Sequence, residues 1–165
     1  MKTLCTGLLL SVIATQSVAL SCMPSNFART FNTINDAPEI YHIAIGTLKA
    51  EKPIPKYQQG KEQHVKTTLT GQYFPVSSTS KTHQLNVTID TVCFGPWCGG
   101  FPKTNAEMLV FLKQTDTGYR LLSTPCDGNF LVSPSAKAKK IITQCIQNKG
   151  CSKAHINALE FHPIR

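Results

Sequence analysis

Acid is scarce in this chain: 9 Asp and Glu stand against 17 Lys and Arg among 165 residues. Asp90, Glu107, Asp116 and Asp127 are the acids that could be imagined as a general acid/base pair. Asp116 and Asp127 fall in turn sequences, where Asp serves the turn itself, so no acid/base constellation is expected. Nucleotide and hydrolase signatures are missing as well: there is no P-loop, no Gly-x-Gly-x-x-Gly and no Gly-x-Ser-x-Gly. His42, His64, His83, His155 and His162 never fall at i, i+4 spacing, and no His-Glu-x-x-His occurs. His64 and His83 sit on predicted strands that could bring them together, but exposed strand positions account for both. Catalytic residues, metal ligands and cofactors are therefore not expected. After residue 19 no apolar run is long enough to cross a bilayer, and neither a repeat nor a linker divides the chain.

What is present begins with a secretory leader over residues 1–19. Lys2 supplies the positive start and Leu8 to Ala14 a short apolar stretch. Ser17-Val18-Ala19 places small residues at −3 and −1 of a cleavage site. Cleavage after Ser21 fits nearly as well and would make Cys22 the first residue. Removing 19 of the 165 residues leaves 146, enough for a single domain over 20–165 with its own core. Cys5 leaves with the leader and six cysteines remain: Cys22, Cys93, Cys98, Cys126, Cys145 and Cys151. In an exported chain an even count reads as three disulfides, with the pairing left open. Lipid anchoring at Cys22 is not expected: the usual leucine three positions upstream is lacking, and lipidation would leave an odd cysteine. Loss of Lys2 takes the formal charge from +8 to +7. The remaining lysines are scattered (Lys49 to Lys66, then Lys137 to Lys140) without interleaved aromatics. They read as solvated loops and a solvated helix face and carry no strong nucleic-acid signal.

Hydrophobic spacing supplies the elements. Ser25-Asn26-Phe27-Ala28-Arg29 starts a short helix that ends at Asn35-Asp36-Ala37-Pro38. A strand over 40–48 puts Tyr41, Ile43 and Ile45 on one face, with a bend or bulge at Gly46. His64 to Phe74 aligns Val65, Thr67, Leu69, Gly71 and Tyr73, and His83 to Val92 aligns Leu85, Val87, Ile89 and Thr91. Met108 to Lys113 is more continuously apolar and predicted to be buried on both faces, with Tyr119 to Ser123 pairing back on it as a hairpin. Ser133 then caps a helix with Pro134 at its first position. Ala138, Ile141, Ile142, Cys145 and Ile146 form its single stripe, and Gly150 ends it. Five strands with helical segments predict a mostly β (α+β) chain, a small, partly open barrel with a C-terminal helix.

Ser21-Cys22 behind the leader, Ile45-Gly46 in the first strand, Cys98-Gly99 between the third and fourth strands and Cys126 after the fifth resemble the netrin-like module. That group includes the inhibitory domain of tissue inhibitors of metalloproteinases, and the resemblance covers roughly residues 22–130. The segment Cys93-Phe94-Gly95-Pro96-Trp97-Cys98-Gly99 is also similar to one in small exported alphaproteobacterial proteins. The resemblance implies a five-stranded barrel of the oligonucleotide/oligosaccharide-binding (OB) type. It implies the pairings Cys22–Cys126, Cys93–Cys98 and Cys145–Cys151. Those inhibitors begin Cys-x-Cys, whereas this chain has one cysteine there. Inhibition would need Cys22 as the mature N-terminus, so that its free amine and carbonyl chelate the protease zinc.

Trp97-Cys98-Gly99 is similar to the start of a thioredoxin active site. Position 101, where a Cys-x-x-Cys pair would place the second thiol, holds Phe101, so a structural disulfide closing a tight loop is expected. The expected function is a non-enzymatic binding module, periplasmic or secreted, for an unknown protein or glycan ligand. Phe94, Trp97 and Phe101 are its candidate contacts, Trp97 alternatively plugging the barrel end. A metalloprotease inhibitor is the alternative, and a thiol–disulfide oxidoreductase the third reading.

Overall fold

The residues described by the computed structural model, 25–126 and 128–159, run through eleven elements in chain order. These are α1 (Phe27–Asn35), β1 (Tyr41–Ala50), β2 (His64–Tyr73), β3 (His83–Thr91), β4 (Cys93–Phe94), β5 (Trp97–Cys98), β6 (Glu107–Thr115), β7 (Gly118–Ser123), β8 (Phe130–Val132), α2 (Ala136–Gln147) and α3 (Lys153–Ala158). Long alternating segments become strands because one of their faces has a core to enter. β1 pairs antiparallel with β2, β2 with β3, and β6 with β7, while β3 and β7 run parallel. β1 also pairs with β6, Tyr41 opposite Lys113 through Thr47 opposite Glu107, and this closes a five-stranded barrel. The expected mostly β, OB-like barrel with a C-terminal helix is what the chain forms. β8 lengthens the sheet beyond β6, an element the spacing did not indicate. The β6–β7 hairpin is brief, Lys113–Thr115 against Gly118–Arg120, and most of β7 lies along β3.

Inside the barrel Ala44, Leu48, Leu69, Val87, Ile89, Met108, Val110, Leu112 and Leu121 make one core. A second lies outside the β1–β6 wall, where Ile45, Leu109 and Phe111 meet Phe27, Ala28 and Phe31 of α1 and Ile141, Ile142 and Cys145 of α2. β6 is thus buried on both faces over Met108–Leu112, as its composition predicts. Each such aliphatic side chain is worth about 1.5–3 kcal/mol relative to exposure. α1 starts at Asn26, whose side chain accepts from Ala28 N and Arg29 N and donates to Ile156 O of α3. One buried side chain therefore caps the first helix and holds the last.

α2 differs from its expected ends. Its cap is Ser135, which accepts from Ala138 N; Ser133 has φ 50° and Pro134 precedes the helix instead of opening it. β8 occupies the chain up to Val132, and Ser133 N donates to Glu107 O. The turn out of the strand therefore uses Ser133 and the helix begins later. At the other end Lys149, not Gly150, takes the left-handed conformation, φ 53°. Gly150 N donates to Cys145 O, and Cys151 N to Asn32 Oδ1, which fixes the path after the helix.

Cys93–Cys98 and Cys145–Cys151 are bonded as the resemblance implied. Cys126 is disulfide-bonded as well; its expected partner Cys22 and the leader lie outside the described residues. Among the described residues no helix is long and apolar enough to cross a membrane.

Candidate functional site

β4 and β5 form a two-residue-turn hairpin in which Cys93 faces Cys98 and Phe94 faces Trp97. Gly95 turns it with φ 61°, a conformation glycine adopts without strain. The hairpin is held at its base and along its side. At the base Val92 N donates to Ser123 O (2.8 Å), Gly99 N to Val92 O (3.0 Å) and Ser123 Oγ to Gly100 O (2.5 Å). Along the side lies the β1–β2 loop, residues 51–63. Tyr57 Oη and Gly60 N each donate to Pro96 O at 3.2 Å, and Cys93 N to Glu62 Oε1 at 3.4 Å. Phe94 and Trp97 remain 46% and 40% exposed and Tyr57 59%. Three rings are thus held on a pinned platform while still open to solvent.

Phe101 does not join them. It is half-buried and packs against the barrel's inner core. The Cys93 and Cys98 sulfurs sit in a β-hairpin, not at a helix N-terminus. One of the ordinary means of lowering a thiol pKa is therefore missing.

Among the described residues the helices pack on the β1–β6 wall, and no β2, β3 or β7 residue of the opposite outer face joins that core. That face is polar: His64, Lys66 and Thr68 on β2, Asn86, Thr88 and Asp90 on β3, Arg120 on β7. In the register Lys66, Thr88 and Arg120 form one row across the three strands. They border a shallow cleft of about 280 Å³ with Glu51, Asn86, Thr115 and Thr117. Asp90 is 4% exposed although it points outward. Its Oδ1 lies 2.6 Å from His64 Nδ1, and its Oδ2 3.1 Å from Arg120 Nη1, in a geometry that makes no hydrogen bond. His64 stands opposite Asp90 and His83 opposite Gly71, seven residues apart along β2. At roughly 3.3 Å per residue the two imidazoles lie at opposite barrel ends. Among the described residues no group of three or more His, Cys, Asp or Glu side chains could hold a metal ion.

The barrel end opposite the hairpin holds a cluster that the sequence did not disclose. His42, Tyr73, His83, Gln114 and Tyr119 come one from each of the five barrel strands. The Tyr73 and Tyr119 hydroxyls are 2.7 Å apart, and His42 Nε2 is 2.8 Å from Gln114 Oε1. The Tyr73 ring lies 5.5 Å from both imidazoles, and His42 meets the Tyr119 ring edge-on at 5.6 Å. The hydrogen bond to Tyr119, then burial, then repulsion from Tyr119 push Tyr73 up to about 12. Absorbance titration should therefore show a tyrosine step well above the ordinary value of about 10. In Tyr119→Phe that step should fall back toward the ordinary value of about 10. An unchanged titration would mean that the hydroxyl pair does not persist in solution.

Comparison of the chain with protein-family models, curated proteins and solved structures gave no significant match.

Proposed function

We propose that this protein is an exported, non-enzymatic binding module that meets a glycan or a protein surface through the aromatic platform of its disulfide hairpin. The observation that carries this reading is the joint exposure of Phe94 and Trp97, on a segment closed by Cys93–Cys98, and of Tyr57, on the neighbouring loop tied to it. Exposed rings with few accessible conformers bring large contact area at low entropic cost, which favours them as anchors for sugars and proteins alike. Disulfides suit an oxidising compartment, the periplasm or the exterior. The inhibitor reading depends on Cys22, outside the described residues, and no observation on the barrel favours it.

Trp97 is the only tryptophan of the chain, so its fluorescence reports the hairpin alone. A ligand drawn from a panel of oligosaccharides and exported-protein fractions should shift or quench that emission. Trp97→Ala should weaken binding at least about tenfold, roughly 1.4 kcal/mol, with little change in Tm. Undiminished binding by both Trp97→Ala and Phe94→Ala would sink the proposal.

A further inference from the structure

α2 packs its apolar stripe on Ile45 and Leu109 and covers the β1–β6 wall. Between α2, the outward residues of β1 and β2, and the 74–82 turn runs a cleft of about 670 Å³. That volume lies in the range of small-molecule sites, about 300–1,000 Å³. It is separate from the hairpin and shares no lining residue with the Lys66–Arg120 face.

The groups along the cleft specify a chemistry. From the helix come Lys139, Lys140 and Thr143. Lys139 is already paired with Glu107 at 2.8 Å. Lys140 is exposed and makes no ion pair among the described residues, so the cleft has one uncompensated positive charge. From the strands come Thr47, Thr70 and Gln72. The two threonine hydroxyls make no side-chain hydrogen bond among the described residues. Gln72 Nε2 donates to Ser80 O at 3.3 Å, which leaves its Oε1 as an acceptor. Thr143 Oγ1 donates to Lys139 O at 2.9 Å and keeps lone pairs to accept with. Pro75 and Val76, the latter 47% exposed, add an apolar side.

We propose that this cleft binds a hydroxylated monocarboxylate, an acidic sugar of one or two rings. One free ammonium matches a single carboxylate. A phosphate, carrying about −1.5 to −2, would call for more cation than Lys140 supplies, and among the described residues no arginine fork lines the cleft to take it bidentately. Free hydroxyls and a carbonyl acceptor offer the mixed donor and acceptor set that sugar hydroxyls need. The apolar side suits the C–H face of a pyranose. The inference does not rest on the role of the hairpin, which Trp97 emission reports separately.

The test is a titration of the oxidised, isotope-labelled protein with glucuronate, glucose and glucose 6-phosphate, followed by amide NMR. Glucuronate should shift the amides of Thr47, Thr70, Gln72, Lys140 and Thr143, with glucose at least about tenfold weaker. Lys140→Glu should weaken glucuronate by about tenfold or more while its spectrum stays dispersed, and Thr143→Val should weaken it less. Shifts that map elsewhere, an equal response to glucose, tighter binding of the phosphate, or no response at about 10 mM would each overturn the assignment.

Discussion

Gly71→Ala is expected to lower stability by about 3 kcal/mol, and Gly71→Val to prevent folding. Gly71 stands directly opposite Gly46 in the β1–β2 ladder. A Cβ at Gly71 would enter the backbone of β1, overlapping Ile45 O and lying 2.7 Å from Gly46 Cα. A Cβ at Gly46 would overlap Thr70 O in the same way. The obstacles are backbone atoms within a ladder, so no side chain can swing aside. β1 pairs with β6 over its first part and with β2 over its last, and Ala44–Thr47 belong to both ladders. The strand must bend sharply there to close the barrel, and the glycine pair allows the approach. Overpacking ordinarily costs about 1–3 kcal/mol, and the upper end applies where two ladders would have to move. For a chain of this size that is on the order of 10 °C in Tm. Urea unfolding should show a lower midpoint at constant slope, while Thr70→Ala, on the exposed side, should stay within about 0.5 kcal/mol. A Gly71→Ala variant as stable as the parent would show that the strands separate easily.

The same pair marks where sequence reading succeeded and where it stopped. Period two placed Val65, Thr67, Leu69, Gly71 and Tyr73 on one side of β2, and the burial of the first four follows it. The apolar run of β6 and the stripe of α2 were legible for the same reason: burial on two faces or one stripe leaves its mark on composition. Alternation says which side a residue faces but not which residue of another strand lies beside it. His42, Tyr73, His83, Gln114 and Tyr119 each look unremarkable within their own strands, and only the closed register unites them. Asp90 alternates with the inward residues of β3, and His64 and Arg120, which lie against its carboxylate, come from two other strands. The aromatics of 94–101 could be recognised as a group. That Phe101 and not Trp97 packs against the inner core goes with the anchoring of Gly99 and Gly100 at Ser123. An added Cβ at Gly99 would strike Ser123 O, and Phe101 follows directly on that contact. The late start of α2 was hidden by β8, whose three residues carry too little pattern to announce a strand.

Phe111→Ala should cost about 3–5 kcal/mol, the range for removing a buried aromatic, and its consequences should spread beyond β6. Phe111 is 2% exposed and lies on the helix side of the strand, between the barrel wall and the helical layer. Its ring stacks on Phe27 of α1 with centroids 4.1 Å apart and planes at 15°, and meets Phe31 at 6.4 Å. Phe27 directly follows Asn26, the residue that caps α1 and donates to Ile156 O of α3. Losing the Phe111 ring would open a cavity under α1 and loosen the element that ties the first helix to the last. The inner barrel core, built from Leu48, Leu69, Ile89, Leu112 and their neighbours, does not include Phe111. Hydrogen exchange should therefore show α1 and α3 amides losing protection before those of β2 and β3. Equal loss of protection across barrel and helices would mean that the two cores unfold as one unit. Phe94→Ala on the exposed hairpin supplies the contrast: it removes a ring of similar size, and stability should change by less than about 1 kcal/mol.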